Sequence, residues 1–257
     1  MKKRQRTDDN SLLTGCRSID DNFEHLNKID EGSYGVVYRA KDKTTGEIVA
    51  IKRVKLAQEK EGFPITALRE LNTLLSLEHE NVIRLNEVVH GSSLNKVYMV
   101  MEYCDHEVKS ILEDKSMQFS HSQIKCLVKQ LLQGVEYMHR NYVFHRDLKT
   151  SNLLYQNEGG ILKICDFGLA RRYSEPVTNY TGLVCTLWYR APELLLGFKQ
   201  YSKEVDMWSV GCIFAELILK TPLFMGTNEL DQLDKIFKIL GNPNDQNWPG
   251  WKTARYS

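Results

Sequence analysis

The stretch HRDLKTSN, residues 145–152, decides the class of fold and chemistry that this sequence encodes. It places Asp147, Lys149 and Asn152 close together in one polar segment. Phosphoryl transfer needs a carboxylate to accept the proton of the attacking hydroxyl, a cation to neutralise the moving group, and an oxygen ligand for Mg²⁺. The three side chains can supply these parts. An ordinary polar loop is the alternative, but eight residues of this content seldom occur together by chance.

Two shorter motifs downstream gain weight from their order. DFG, residues 166–168, follows the predicted strand ILKIC, so Asp166 is placed to bind the metal that bridges the phosphates. APE, residues 191–193, comes next, and the segment between the two motifs is predicted to be an activation loop. A three-residue match carries little weight alone, and the order of the motifs supports the assignment.

Two motifs upstream supply the phosphate-binding parts. IDEGSYGVV, residues 29–37, is a glycine loop in which Gly32 and Gly35 allow backbone amides to approach phosphate oxygens. Lys52 ends the strand-like VAIK, where it is placed to bind the α- and β-phosphates and to pair with Glu70. Taken singly, both residues could equally be solvated surface charges. The sequence has no GxxxxGK[ST] motif, which excludes a P-loop enzyme.

The composition indicates a folded, soluble protein. The chain has 257 residues, 42% of them hydrophobic, and its net charge of +1 gives no global field for nucleic acid or anionic membranes. We therefore expect neither direct nucleic-acid binding nor a membrane. The six cysteines form no CxxC pair, which favours the nucleus or cytoplasm over an oxidising compartment. Residues 1–22 are predicted to be a flexible polar tail, although the basic residues between Lys2 and Arg6 could be a nuclear-import patch.

The first part of the chain has a mostly strand-like pattern. Runs of β-branched residues that are typical of strands occur at 35–42, 47–54 and 96–103. After Pro64, the segment ITALRELNTLLSL predicts a helix, because residues such as Leu68 and Leu75 recur at helical spacing. These patterns predict a small β-rich lobe with one key helix over about 23–103.

The second part of the chain is predicted to be helical. Ser120 and Gln123 can form a capping box at the start of a helix with one apolar face. Residues 205–219 are apolar almost all round, which predicts a buried helix, and another helix is expected near 229–240. The sequence thus predicts an α+β protein with a larger α-rich lobe over about 104–257 and a ligand crevice between the lobes.

The motifs in this order resemble those of the protein-kinase family from Phe23 to the end of the chain. HRDLKxxN is similar to Ser/Thr rather than Tyr kinases because of Lys149. Four longer stretches resemble the cyclin-dependent branch: GFPITALRE (62–70), DFGLAR (166–171), TLWYRAPELLLG (186–197) and DMWSVGCIFAE (206–216). The elongation kinases of this branch share PITALRE itself. Asp30, HRDLKTSNLL and NWPGW resemble the PITSLRE-type kinases more widely, and we prefer that type.

The resemblance implies a bilobal protein-kinase fold and ATP-dependent phosphorylation of Ser or Thr in proteins, with Mg²⁺ as the metal. It also implies a cyclin, of L type in the PITSLRE kinases, that contacts the helix from Pro64 to Glu70. An upstream kinase would activate the chain at Thr181, while Ser33 and Tyr34 match inhibitory phosphorylation sites. Proline after the acceptor is implied too, although Cys185 replaces a small β-branched residue of close relatives. The implied roles are transcription-coupled RNA processing and cell-cycle control.

The same resemblance assigns the residues of the site. The implied catalytic residues are Asp147, Lys149, Lys52 and Glu70, and the implied metal-binding residues are Asn152 and Asp166. The implied ATP-binding residues are Ile29, Asp30, Glu31, Gly32, Ser33, Tyr34, Gly35, Val36, Val37, Ala50, Lys52, Met101, Glu102, Cys104, Glu107 and Leu154. The phosphate on Thr181 would be bound by Arg69, Arg146 and Arg171. His145 is structural in this family, so it is assigned no proton transfer.

Two other classes of function stay open. An inactive nucleotide-binding module could serve as a scaffold for a cyclin-like partner, and a small-molecule phosphotransferase would not need a peptide platform bounded by APE. After NWPGW only KTARYS remains. The resemblance therefore implies a domain that is incomplete at its C-terminus, without the arginine that pairs with Glu193 in the family.

Overall fold

The computed structural model describes residues 15–32, 35–54, 65–92, 96–117, 119–172, 186–198 and 200–253, apart from the side chains of residues 30–32, 65 and 66. The chain divides into two compact units. The strand unit contains the described parts of residues 1–64 and 85–103, and the helical unit contains those of residues 65–84 and 104–257. The predicted α+β class, strands first and helices later, is confirmed.

The strand unit is built on a five-stranded antiparallel sheet in the order β1-β2-β3-β5-β4. Its strands are β1 (Phe23–Gly32), β2 (Gly35–Asp42), β3 (Ile48–Arg53), β4 (Leu85–His90) and β5 (Val97–Glu102). The three predicted strands are confirmed as β2, β3 and β5. β-Branched side chains pack well on a pleated surface, which is why these runs mark the sheet.

One face of this sheet carries the hydrophobic core of the strand unit. Side chains alternate between the two faces along each strand, so every second residue points to the same side. The residues of the core face are no more than 5% exposed, and they are Phe23, Ala40, Val49, Ile51, Val89 and Val100. The opposite face is therefore left for other uses.

Residues 15–22 belong to the strand unit and pack on its sheet. Helix α1 (Ile19–Asn22) directly precedes β1, and the guanidinium of Arg17 donates hydrogen bonds of 2.5 Å to the carboxylates of Asp42 and Glu87. The hydrogen bond from Arg17 is the main reason that the pKa of Asp42 is lowered to about 2. The described end of the segment predicted as a flexible tail is thus part of the fold, because a charged side chain fastens it to the sheet. The earlier residues of that segment lie outside the described part of the chain.

The helical unit contains six helices in its described residues: α2 (Ile65–Leu75), α3 (Val108–Glu113), α4 (His121–Arg140), α5 (Pro192–Leu195), α6 (Glu204–Leu219) and α7 (Glu229–Leu240). Two small antiparallel sheets accompany them. Strands β6 (His106–Glu107), β8 (Leu153–Gln156) and β9 (Ile161–Ile164) form one, and strands β7 (Val143–Phe144) and β10 (Arg171–Arg172) form the other. None of the described helices is both long enough and apolar enough to span a membrane.

Local chemistry explains where the long helices begin and end. The predicted capping box of α4 is confirmed, since Ser120 Oγ accepts from the Gln123 backbone and Gln123 Oε1 accepts from the Ser120 backbone. The side chain of Asn228 caps α7, and Gly241 ends it with a φ of 87°, a conformation that favours glycine. The helix predicted near 229–240 is thereby confirmed.

Helix α2 groups with the helical unit, although the sequence places it in the small lobe. It packs against the 3₁₀ turn Phe167–Leu169, and the chain that follows it joins β9. There the carbonyl of Asn81 accepts from the Ile164 backbone at 2.9 Å, and the Ile83 backbone donates to the Ile164 carbonyl at the same distance. Backbone hydrogen bonds therefore tie residues 65–84 to the helical unit.

The apolar spacing of α2 predicts the helix but not its buried side. Leu71 and Leu74 are buried, together with Glu70, whereas Leu68 is 44% and Leu75 65% exposed. The helix thus buries one acidic side chain and exposes two leucines.

The prediction of a buried helix over 205–219 is wrong for one side of α6. Within the described structure Met207, Phe214, Ile218 and Leu219 are exposed. The buried side contains polar groups as well, with Asp206, Ser209 and Glu216 among its members. This helix therefore exposes some apolar side chains and buries some polar ones. The buried polar groups are tolerated because they hydrogen-bond to other segments.

Candidate active site

The stretch HRDLKTSN (145–152), which is predicted to be the catalytic loop, is held by a buried carboxylate of α6. Asp206, 1% exposed, accepts the backbone N–H groups of His145 and Arg146 at 2.8 Å each, and His139 Nε2 lies 2.9 Å from it. Arg146 has a φ of 68°, which non-glycine residues rarely adopt. The two backbone hydrogen bonds hold this turn, so the position of Asp147 is fixed by a residue 59 positions later in the chain.

Asp147 lies at the centre of a polar network. Its Oδ2 accepts from Lys149 Nζ at 2.9 Å and from Asn152 Nδ2 at 3.3 Å. Its Oδ1 accepts from the Thr186 backbone at 2.9 Å and from the Thr186 hydroxyl at 3.2 Å. Lys149 Nζ also donates to that hydroxyl, at 3.1 Å. A carboxylate and an ammonium group thus both contact one hydroxyl at hydrogen-bond distance.

The two predicted metal-binding residues lie at neighbouring ends of β8 and β9. The carbonyl of Asn152 accepts from the Cys165 backbone at 3.0 Å, so Asn152 lies beside the residue that precedes Asp166. Asn152 Nδ2 donates to the carbonyl of Asp147 at 2.7 Å. That bond occupies the nitrogen end of the amide and leaves its oxygen end to act as a ligand.

His145 is fully buried and links the catalytic loop to the DFG motif. Its Nε2 lies 2.9 Å from the carbonyl oxygen of Cys165, and its ring meets Phe167 edge-on with 5.0 Å between centroids. Nδ1 accepts from the Asp147 backbone at 3.3 Å. These contacts hold two motif segments together and use both ring nitrogens.

The three predicted phosphate-binding arginines come together in the helical unit. Burial lowers the pKa of Arg171, and repulsion from Arg146 and Arg69 lowers it further. Arg146 donates from Nε to the carbonyl of Leu169 and from Nη1 to the Tyr201 hydroxyl, both at 2.8 Å. Its Nη2 is buried and has no hydrogen-bond partner among the described residues. Clustered positive charge with an unfilled donor is an environment that an anion would stabilise.

Four of the predicted ATP-binding residues share one face of the sheet in the strand unit. Val37 stands opposite Lys52, and Ala50 stands opposite Met101. This face lies opposite the core face, and Lys52 is only 7% exposed. Ile29 is 47% exposed, at an irregular position of β1 where the pairing shifts.

The glycine loop is described only in part. Gly35 and Val36 begin β2. A Cβ at Gly35 would lie 2.5 Å from the carbonyl oxygen of Arg53, and its φ of 141° also favours glycine, so this position excludes other residues. Predicted residues whose side chains or whole positions lie outside the described ones are Asp30, Glu31, Gly32, Ser33, Tyr34, Pro64, Thr181 and Cys185.

The remaining predicted residues are divided between the two units. Glu102 lies at the end of β5 in the strand unit. In the helical unit Glu107 stands opposite Leu154 between β6 and β8, and Cys104 is partly buried just before them. Glu70 is buried on α2 with 7% exposure.

Sequence reasoning missed three residues that shape the site. Thr186 contacts both Asp147 and Lys149, and it stands in the quoted stretch TLWYRAPELLLG without an assigned role. Asp206 opens the quoted stretch DMWSVGCIFAE and holds the catalytic loop. Tyr201 accepts from Arg146, and no motif marks it.

The APE glutamate lies apart from this network. Glu193 lines a cavity of about 580 Å³ beside α5, α6 and α7, together with Trp208 and Trp248. Burial raises the pKa of the Glu193 carboxyl. Within the part of the chain that the structure describes, this carboxylate has no ion-pair partner.

Comparison with known proteins agrees with these features. The protein kinase domain family matches residues 23–257. Cyclin-dependent kinase G-2 of Oryza sativa subsp. indica is 61% identical over 241 residues, which cover 94% of this chain and 34% of that protein. Cyclin-dependent kinase 11B of Homo sapiens is 57% identical over 239 residues, covering 93% of this chain and 30% of that protein.

Serine/threonine-protein kinase PITSLRE of Drosophila melanogaster is 55% identical over 242 residues, covering 93% of this chain and 25% of that protein. The chain therefore spans about a third or less of the length of these three relatives. The predicted resemblance to cyclin-dependent kinases of the PITSLRE type is confirmed by these similarities. On the match over residues 23–257, the chain belongs to the protein kinase domain family.

Proposed function

We propose that the chain transfers the γ-phosphoryl group of ATP to serine or threonine hydroxyls of proteins. The observation that carries this proposal is the contact of Asp147 and Lys149 with a single hydroxyl, that of Thr186. An acceptor hydroxyl that takes up the same contacts would give its proton to Asp147 while Lys149 neutralises charge on the transferred group. Membership of the protein kinase family supports ATP as the donor.

The oxygen donors of the helical unit support Mg²⁺ as the metal. Asn152 has its amide oxygen left for a ligand, and Asp166 offers a carboxylate at the neighbouring end of β9. Among the described residues no group of three or more His, Cys, Asp or Glu could hold a metal ion. Mg²⁺ commonly binds through one or two protein oxygens together with substrate phosphates, so this small donor set fits an ion that arrives with ATP. When bound, the ion would neutralise phosphate charge.

The face that carries Val37, Ala50, Lys52 and Met101 is proposed to bind the nucleotide. Its apolar residues suit an adenine ring, and its lysine suits the phosphates. The pairing of Lys52 with Glu70 stays a prediction, as do the contributions of the other residues assigned by resemblance.

Phosphorylation of Thr181 is proposed to activate the chain through the arginine cluster. Arg146 and Arg69 both repel Arg171, and Arg146 has a buried donor without a partner among the described residues. A phosphate adds nearly two negative charges and three acceptor oxygens, which would relieve the repulsion and fill that donor. Because Arg69 lies on α2 and Arg146 lies in the catalytic loop, one phosphate could fix both segments.

A cyclin is proposed as the partner of α2. The relatives named cyclin-dependent kinases support a cyclin, and the L type is proposed from the resemblance to the PITSLRE kinases. The exposed Leu68 and Leu75 give this helix an apolar surface that a partner could bury. The roles in RNA processing or the cell cycle, and a nuclear location, rest on the same resemblance.

Phosphoryl transfer to peptides tests the proposal. The protein is incubated with γ-labelled ATP, Mg²⁺ and otherwise identical peptides that contain Ser-Pro, Ser-Ala or Tyr, with and without an L-type cyclin. We expect label on serine, more of it with cyclin, and most on Ser-Pro. Label on tyrosine only, or on small molecules only, contradicts the proposal. Binding of ATP and Mg²⁺ without turnover in the presence of any cyclin favours an inactive scaffold.

A further inference from the structure

A buried carboxylate near the end of α6 joins two segments of the site. Glu216 is 4% exposed, and it accepts from the Tyr189 hydroxyl at 2.6 Å and from Thr150 Oγ1 at 3.1 Å. The two hydroxyl oxygens lie 3.3 Å apart. Thr150 is fully buried and Tyr189 is 5% exposed, so the three groups form a closed polar cluster. Desolvation raises the pKa of Glu216, which shows that burying this group is costly.

Each hydroxyl of the cluster belongs to one of the two segments that meet where Asp147 contacts Thr186. Thr150 directly follows Lys149 in the catalytic loop. Tyr189 ends the 3₁₀ turn Leu187–Tyr189, whose preceding residue is Thr186. Asp147 and Lys149 meet Thr186 at one end of these two segments, and Glu216 joins the segments at the other end.

The chemistry of a carboxylate suits this bridge. It can accept one hydrogen bond at each oxygen, and charge-assisted bonds are stronger than neutral ones. An apolar residue at this position would leave at least one of the two buried hydroxyl groups without an acceptor. A bridge anywhere in the unit would add stability. Because this bridge joins the segments of Asp147 and Thr186, it also sets the distance between these two residues.

We propose that Glu216 is a positioning residue that acts through Thr150 and Tyr189 to hold the segment of Thr186 against Asp147 and Lys149. The inference rests on the proposed function, because it assigns these segments to binding the acceptor peptide. It places Glu216 among the residues that align the acceptor hydroxyl, and because its carboxylate is buried it acts through Thr150 and Tyr189. The effect is therefore expected on the peptide side of the reaction and not on ATP binding.

Tyr189→Phe is the sharpest variant, since it removes one hydroxyl and keeps the ring in place. We expect kcat/KM for the peptide to fall about tenfold, which corresponds to about 1.4 kcal/mol, with KM for ATP changed less than twofold. Thr150→Val should act in the same direction, and Thr150→Ser, which keeps the hydroxyl, should restore most of the activity. The effects of Tyr189→Phe and Thr150→Val should not add, because both act through one carboxylate.

Ser209→Ala is the matched control. Ser209 is 3% exposed on the same helix and donates to the carbonyl of Tyr189 at 2.9 Å, so its loss also breaks a buried hydrogen bond, but it leaves the carboxylate bridge intact. If Tyr189→Phe lowers the melting temperature as Ser209→Ala does and leaves peptide kcat/KM within twofold, Glu216 is a packing residue and the proposal is wrong.

Amide hydrogen exchange separates this inference from the proposed function. The Thr186 backbone N–H donates to Asp147 Oδ1 at 2.9 Å, so its exchange rate reports whether the two segments stay together. We expect this rate to rise at least about tenfold in Tyr189→Phe but not in Ser209→Ala. That result supports the positioning role even if the wild type transfers no phosphoryl group, and unchanged exchange in Tyr189→Phe contradicts it.

Discussion

Replacing Asp206 with asparagine should loosen the catalytic loop and lower stability together. The carboxylate is 1% exposed and accepts three hydrogen bonds, from the backbones of His145 and Arg146 and from His139. Asparagine has one oxygen, so its NH₂ group must face at least one donor. Losing a charge-assisted bond and leaving a buried N–H unsatisfied should lower the free energy of unfolding by about 2–4 kcal/mol.

Activity should fall as well, because the two backbone donors immediately precede Asp147. We expect kcat for a peptide substrate to decrease at least about tenfold, which corresponds to about 1.4 kcal/mol in the activation barrier. Urea unfolding followed by fluorescence gives the stability change, and a steady-state phosphorylation assay gives kcat.

Asp234→Asn is the control for this substitution. Asp234 carries an exposed pair with Lys238 at 2.5 Å on α7, and a surface pair contributes little, so its loss should change the free energy of unfolding by less than about 0.5 kcal/mol. If Asp206→Asn has an effect as small as that of the control, the carboxylate does not hold the loop, and the reasoning is refuted.

Four further substitutions test the packing and charge of the fold. Gly134→Ala would put a Cβ 2.8 Å from a side-chain carbon and 2.9 Å from a carbonyl oxygen, so it should destabilise the protein by about 1–3 kcal/mol. A Cβ at Gly211 would meet nothing within 4 Å, so Gly211→Ala should stabilise its helix by up to about 1 kcal/mol. Thermal unfolding distinguishes the two variants. Burial raises the pKa of Glu193 above its ordinary value of 4.5. The contribution of this group to stability is therefore fully present below pH 4.5 and is lost as the pH rises through the higher folded pKa. Glu193→Gln should therefore be more stable than the wild type at pH 7 and equal to it below pH 4.5, and parallel urea titrations with no divergence would contradict this. Arg17→Ala should raise the pKa of Asp42 from about 2 towards 3.8 in an NMR titration. The wild type gains stability from this carboxylate above pH 3.8 and loses it as the pH falls towards 2, and the variant should lack that gain. An unchanged pKa would show that other donors set it.

Local sequence patterns predicted the elements of the fold well. The ends of α7 follow from Asn228 and Gly241, which are a cap and a stop signal that can be read without the structure. The start of α4 follows from Ser120 and Gln123 in the same way. Such signals act within a few residues, so a single sequence contains all the information that they need.

The contacts that assemble the site were harder to predict, because they join distant segments. Asp206 bonds to residues about 60 positions earlier, and Glu216 joins Thr150 to Tyr189 across 66 and 27 positions. Acidic residues on an apolar helix read as ordinary polar positions until their partners are known. The buried side of α2 was missed for a similar reason, since Glu70 is buried and Leu75 is exposed.

The role of Asp147 as proton acceptor is the central claim, and a single-turnover assay tests it most directly. Asp147→Asn is compared with Asp105→Asn, which changes an exposed carboxylate that accepts from the Asn157 backbone. With γ-labelled ATP and a Ser-Pro peptide, the account predicts that Asp147→Asn slows transfer by about 10²–10⁴-fold while ATP affinity stays the same, and that Asp105→Asn matches the wild type. Transfer by Asp147→Asn at more than a tenth of the wild-type rate would contradict the account.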